Sequence, residues 1–311
     1  MKKSLLIVLS VFLLTATANT AQAFDEKDLA KLNQTKKCVK CDLRGANLTK
    51  ANLSGANLSG ANLTEAILRS ANLLYANLSG ADLQDAKLSE AKLTKADLSG
   101  AKLINANLYK AKLEGANLSK ADLRWADLGR ARLYRANLSK ADLTTANLYK
   151  ADLTKANLSG AMLRYAKLGK TNLSNAKLEG VDLYRANLSG ANLSKAKLSN
   201  ITVKYTNLTR ANLTGADLKR IDLQRGKLEG AILKGASLSD ANLKGATLNK
   251  ANLSGADLQG SNLMGAYLRG ANLKDSNLNK AKLENAYLMG ADLRGANLKG
   301  SNLKKANLQG A

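Results

Sequence analysis

Leucine recurs at every fifth position from Leu43 to Leu308, filling 53 of 54 places and giving way once, to Val203. Alanine stands two residues before most of these leucines, so the chain repeats Ala-(Asn/Asp/Lys)-Leu-X-X without insertion or deletion. A period of five suits neither regular element. On an α-helix it advances each leucine by ~500° and spirals the apolar positions around the axis. In one long strand, successive leucines fall on opposite faces. The pattern requires a chain that turns back on itself, each pentapeptide forming one side of a coil whose backbone groups pair with the coils above and below. A chain built this way presents a surface rather than a pocket.

Runs such as Ala46-Asn47-Leu48-Thr49-Lys50-Ala51-Asn52-Leu53-Ser54-Gly55 resemble the pentapeptide repeat family, and the resemblance covers residues 38–311. It implies an all-β architecture, a right-handed quadrilateral parallel β-helix with four pentapeptides per coil. In that solenoid the leucine and the alanine two before it point inward. The sequence supports a coil of twenty independently. The β-branched exceptions at the alanine position, Val181, Ile201 and Ile221, are spaced by twenty, which stacks them at one corner and widens it, with Val203 in the same zone. About 13 coils at ~4.8 Å each make a rod ~65 Å long. Each coil meets only its neighbours, so stability is close to a nearest-neighbour sum.

Three segments are expected. Residues 1–23 read as a signal peptide: Met1-Lys2-Lys3 is positive, Ser4 to Leu14 is apolar, and Ala21-Gln22-Ala23 fits a cleavage site. The apolar run is short for a membrane span, and no later segment qualifies, so no membrane span is expected in the mature protein. Residues 24–37 are expected to form an N-terminal helical cap, with acids early and Leu29 and Leu32 on one face. Residues 38–311 form the solenoid. The expected location is extracytoplasmic, whether periplasm, extracellular space or thylakoid lumen. Export also bears on Cys38 and Cys41. Zinc needs two further ligands that a chain without histidine or other cysteines does not supply. An oxidising compartment favours a disulfide at the inward positions of the first coil, with buried thiols as the alternative.

The formal charge is +24, and loss of residues 1–23, which hold two lysines and no acid, leaves +22. A charge of this size selects anionic polymers, anionic surfaces or acidic proteins as partners. Sorted by a coil of twenty, it is uneven. The side carrying Leu48, Leu68 and Leu88 sums to +9 and the next, carrying Leu53 and Leu73, to +6, while the sides of Leu58 and Leu43 sum to +3 and +2. On the +9 side, Lys110, Arg130, Lys150 and Lys170 occupy one position on four successive coils, Arg210 follows after Gly190, and Tyr109 and Tyr149 lie beside them. This is a candidate anion-binding ladder, combining long-range attraction with stacking; a solvated edge is the plainer reading. On the least charged side, Trp125, Thr145, Tyr165, Arg185, Tyr205 and Arg225 form a second column. Alternating aromatics and arginines there suit cation–π stapling more than ligand recognition. The many Asn-Leu-Ser/Thr triplets arise from the repeat itself.

The function expected is therefore a non-enzymatic exported scaffold or binding protein that presents a rigid basic rod. A purely structural solenoid is the alternative. Some members of the resembled family shield a topoisomerase by mimicking DNA; positive charge and export both oppose that role here. Catalysis is not expected, since acids such as Asp82 and Asp85 face outward without a cleft, and no cofactor or metal is implied. The last coil, ending at Leu308-Gln309-Gly310-Ala311, leaves apolar side chains and strand edges uncovered. A homodimer through that coil is expected, as known in the resembled family.

Overall fold

The computed structural model describes residues 24–311, so the signal peptide expected over 1–23 lies outside the described residues. Parallel bridges join residue i to residue i+20 at five-residue intervals, from Lys37↔Asn57 to Tyr287↔Asn307. Each turn of the chain thus has twenty residues and four sides. Every side offers one bridge residue followed by a two-residue turn, and among the described residues no side extends into a longer strand.

The repeat Ala136–Lys140 shows why this sequence folds so. Four of its five N–H groups go to backbone oxygens: Ala136 N to Leu133 O (2.9 Å), Asn137 N to Ala116 O (2.9 Å), Leu138 N to Asn157 O (2.7 Å) and Lys140 N to Ser159 O (3.0 Å). The fifth, Ser139 N, donates to Oδ1 of Asn137 at 3.1 Å. Asn or Asp before the leucine therefore closes the account of buried donors, as an Asx turn does. Leucine and alanine fill the interior. Every repeat leucine from Leu43 to Leu288, and Val203 with them, is buried, each side chain contributing ~1.5–3 kcal/mol.

The corner residue, two after each inward leucine and likewise after Cys38 and Val203, is left-handed throughout. All 55 from Lys40 to Gly310 have φ between +53° and +70°, and 34 of them are not glycine. The third residue of a type II turn requires this sign of φ. For a residue with a Cβ it costs roughly 1–2 kcal/mol, which the inter-coil hydrogen bonds on both sides of the corner override.

α1 (Glu26–Thr35) precedes the coils. Asp25 caps it, accepting from Lys27 N at 2.8 Å and Asp28 N at 3.4 Å. Leu32 is buried, and Phe24 and Leu29 pack against the core. Asp25 N donates to Asp42 O at 3.0 Å, and Asp42 N donates to Asp28 Oδ2 at 2.8 Å, tying the helix start to the first coil. Cys38 and Cys41, both buried, are joined in a disulfide with Cα atoms 5.2 Å apart.

The ladder has one gap. Asp182 and Thr202 form no bridge, although Met162↔Asp182 and Thr202↔Asp222 do. Among the described residues, the amides of Gly180, Leu183, Ile201, Thr202 and Tyr205 have no backbone acceptor. Val181 and Ile201, both buried, stand beside the gap at positions where most repeats carry alanine. Hydrogen exchange should therefore be fastest, within the interior of the rod, in peptides covering residues 180–205. Protection there equal to that of residues 130–160 would refute an opening between these coils.

Candidate functional site

The left-handed corners place the basic ladder at the outer edge of the rod. Lys110, Arg130, Lys150, Lys170 and Arg210 are all exposed. Lys110 faces Glu90 of the preceding coil at 3.9 Å, whereas Arg130, Lys150, Lys170 and Arg210 have no ion-pair partner among the described residues. Like charges one coil apart, ~4.8 Å, repel and add nothing to folding. Tyr109 and Tyr149 lie beside the column, with the Lys110 and Lys150 amino groups 5.4 and 5.3 Å from their ring centroids. The column then reaches an open groove of about 440 Å³ lined by Lys170, Ser189, Gly190, Thr209, Arg210, Glu229, Gly230 and Lys250. Lys250 and the two hydroxyl residues escape a search for an unbroken run of basic residues, because glycine occupies the alternate corners.

The second column is arranged differently from a plain alternation of aromatic and arginine. Tyr165 and Tyr205 are two coils apart, and the ring between them belongs to Tyr184, one residue before Arg185. Tyr184 meets Tyr165 edge-on at 5.8 Å and Tyr205 at 5.9 Å. Arg164 and Arg185 lie 5.1 and 5.4 Å from the Tyr184 centroid, and Arg185 also reaches Tyr205 at 5.8 Å. Trp125 pairs with Arg124 of its own coil at 5.6 Å, and Arg225 lines a groove with Lys204, Tyr205 and Gln224. Reading the column alone missed Tyr184 and Arg164, because both sit at the position just after leucine, whose side chains share the outer edge with the corner residues. The cluster spans the Asp182/Thr202 gap, where Arg164, Val181, Asp182, Tyr184 and Thr202 line a groove of about 290 Å³. It reads as a staple across an opening rather than a receptor.

Three aspartates are held by an arginine two residues on. In Asp42-Leu43-Arg44, Asp122-Leu123-Arg124 and Asp292-Leu293-Arg294, the residues flanking an inward leucine emerge on one side. Each arginine then grips its aspartate through Nε and Nη2, at 2.8 and 2.6–2.7 Å. The Arg294 side chain, and then its backbone N–H, hold the Asp292 carboxyl down at about 2. Asp42 and Asp122 are lowered in the same way. A depressed carboxylate favours the fold above its unfolded value and loses that contribution as pH falls through the folded value. Arg294→Gln should bring the Asp292 titration, followed by carbonyl-carbon NMR, from about 2 back toward ~3.9. An unmoved midpoint would reject the arginine as the cause. Asp82, an outward acid, lies 3.4 Å from Lys102. Asp28, Cys38 and Cys41 bring possible ligand atoms within 4.8 Å of one another, but the two sulfurs are bonded to each other and offer no thiolate. Among the described residues, no helix is long and apolar enough to cross a membrane.

The sequence profile of the pentapeptide repeats matches this chain in overlapping copies over residues 37–119, 121–230 and 236–310. The chain belongs to the pentapeptide repeat family, whose members fold as right-handed quadrilateral β-helices. Among solved structures it is similar to HetL, a pentapeptide repeat protein involved in heterocyst differentiation regulation from the cyanobacterium Nostoc sp. strain PCC 7120. Identity is 40% over 72% of this chain and 90% of HetL, with a TM-score of 0.24. It is also similar to Rfr23 from the cyanobacterium Cyanothece 51142, at 32% identity over 39% of this chain and 90% of that one, TM-score 0.23. A pentapeptide repeat protein of the Arabidopsis thaliana thylakoid lumen shares 30% identity over 33% of this chain and 64% of its own, TM-score 0.16. No curated protein matches.

Proposed function

We propose that this protein is a non-enzymatic, exported scaffold whose basic side binds anionic polymers or the acidic surfaces of other proteins. One observation carries this reading. Lys110, Arg130, Lys150 and Lys170 stand exposed on consecutive coils, at corners where their φ is +56° to +59°. Glycine would occupy these corners without the cost of a Cβ in the left-handed region. Repulsion between the side chains adds a second cost, and among the described residues no ion pair offsets it at Arg130, Lys150 or Lys170. A polyanion laid along the edge offsets that repulsion, releasing its counterions as it binds. A DNA-mimicking role needs the opposite sign of charge.

In this reading the rod has about thirteen coils and is closed at its N-terminal end by α1 and the disulfide. At the other end Leu293, Leu298 and Leu303 are only partly buried and Leu308 is 41% exposed; a second copy stacked there is the homodimer we propose. The test of function is chromatography on immobilised heparin. Retention at low ionic strength that collapses in a salt gradient supports polyanion binding, and passage through the column at low salt overturns it.

A further inference from the structure

On the basic side a rhythm of two coils, carried by aromatic rings and glycines, overlies the one-coil rhythm of the ladder. Tyr109 and Tyr149 occupy the same column forty residues apart, ~9.6 Å along the rod. Of the 54 residues that directly follow a repeat leucine or Val203, only Gly129 and Gly169 are glycine, and each comes one coil after one of these two tyrosines. The pairing is physical. A methyl group on Gly129 would stand 3.0 Å from Oδ1 of Asp127 and 3.2 Å from Cδ2 of Tyr109, and one on Gly169 would stand 3.3 Å from Cδ2 of Tyr149. Each ring leans over its glycine, which no larger residue permits without displacing it. Tyr165, Tyr184, Tyr205, Tyr267 and Tyr287 pack against other aromatic rings, whereas Tyr109 and Tyr149, like Tyr75 and Tyr134 on another side, pack on none among the described residues. Farther along, the same interval returns in charge. Gly190 and Gly230 open the groove, and Lys170, Arg210 and Lys250 border it at two-coil steps with the Ser189 and Thr209 hydroxyls between them and Glu229 as its one acid.

We propose that this track, from Tyr109 to Lys250, binds an extended anionic polysaccharide, one disaccharide to every two coils. The inference rests on the polyanion-binding reading above and names its ligand class. In an extended β-linked chain alternate sugar rings are inverted, so the same ring face and the same carboxylate or sulfate recur every second sugar. The exposed Tyr149 and the half-buried Tyr109 receive the C–H face of a sugar, while the lysine beside each receives the acid. Single-stranded nucleic acid asks for something else, an aromatic surface for each successive base, and here the intervening coil carries glycine.

Three probes test this by affinity electrophoresis: carboxymethylcellulose, its neutral counterpart hydroxyethylcellulose, and poly(dT). The protein should bind carboxymethylcellulose at salt concentrations that release poly(dT), with hydroxyethylcellulose bound more weakly than its carboxylated form. The paired change Tyr109→Ala and Tyr149→Ala should weaken carboxymethylcellulose binding by about tenfold or more, leave the salt dependence of the residual binding unchanged, and leave the melting midpoint in place. Gly129→Leu with Gly169→Leu, which displaces the rings and keeps every charge, should do the same. Poly(dT) bound as tightly as carboxymethylcellulose at equal charge, or binding indifferent to both paired changes, overturns the polysaccharide assignment while the basic edge stands. Failure of the unaltered protein to bind any charged probe at low salt overturns both.

Discussion

Reversing Lys110, Arg130, Lys150 and Lys170 together to glutamate is expected to abolish retention on heparin and to leave the thermal midpoint where it was. The four side chains are exposed, and only Lys110 has an ion-pair partner, at 3.9 Å. An exposed pair of that kind is worth ~0–1 kcal/mol, and surface changes away from packing or caps fall within about 0.5 kcal/mol of neutral. The corners stay left-handed with glutamate as with lysine, so the backbone cost does not change. Binding behaves differently. Each cation that neutralises one anionic group contributes ~0.7–0.9 to the slope of log K against log salt, so four lost contacts flatten that slope by about 3 and four introduced acids repel the polymer. The variant and the unaltered protein compared over a salt series separate the two cases. Equal retention would mean the ladder is a solvated edge and that binding, if any, lies elsewhere.

Leu158→Asp is expected to break the rod near its middle. Leu158 is fully buried, with its N–H bonded to Lys177 O at 2.9 Å. Its coil neighbours above and below are the equally buried Leu138 and Leu178. A carboxylate placed between leucines has no partner and no water, a change of the class that costs ~4 kcal/mol or more. In a globular core that loss is shared across the domain. Here each coil meets only the next, so the damage concentrates at one interface and the melt should separate into two transitions. Limited proteolysis should cleave first near residue 158. Leu158→Ala, which leaves a cavity without a charge, should cost ~2–5 kcal/mol. An unchanged melting curve for the aspartate variant would contradict the inward assignment of the whole column.

The inward columns were open to inspection in the sequence because one residue type is required at each place: leucine and alanine have no reason to recur at fixed intervals except packing. The twenty-residue turn was visible for a similar reason, through three bulky residues at Val181, Ile201 and Ile221. What these bulky residues do was not. Their stacking suggested a widened corner, but that the bridge is lost between Asp182 and Thr202 and kept between Thr202 and Asp222 is a matter of backbone placement that side-chain bulk does not announce. The left-handed corners were equally hidden. Lysine, tyrosine and tryptophan have no preference for that conformation, and only the 21 glycines and the few Asn and Asp among the 55 corners point toward it. Reading the outer surface column by column found the basic ladder and half of the aromatic cluster. It overlooked Tyr184, Arg164 and the Tyr–Gly pairs, because these interactions run between adjacent columns and become visible once side-chain directions are known.

Pairing of residue i with residue i+20 has a consequence for how such a chain tolerates changes of length. Removing twenty residues shortens the rod by one storey and returns everything downstream to its original side. Removing five preserves every inward leucine, and therefore the interior, but rotates all that follows by a quarter turn. Made between residues 150 and 170, that deletion would carry Arg210 and Lys250 around the corner while Lys110, Arg130 and Lys150 remained in place. The fold would be intact and the track severed. In this protein, phase along the chain is a surface property as much as a structural one.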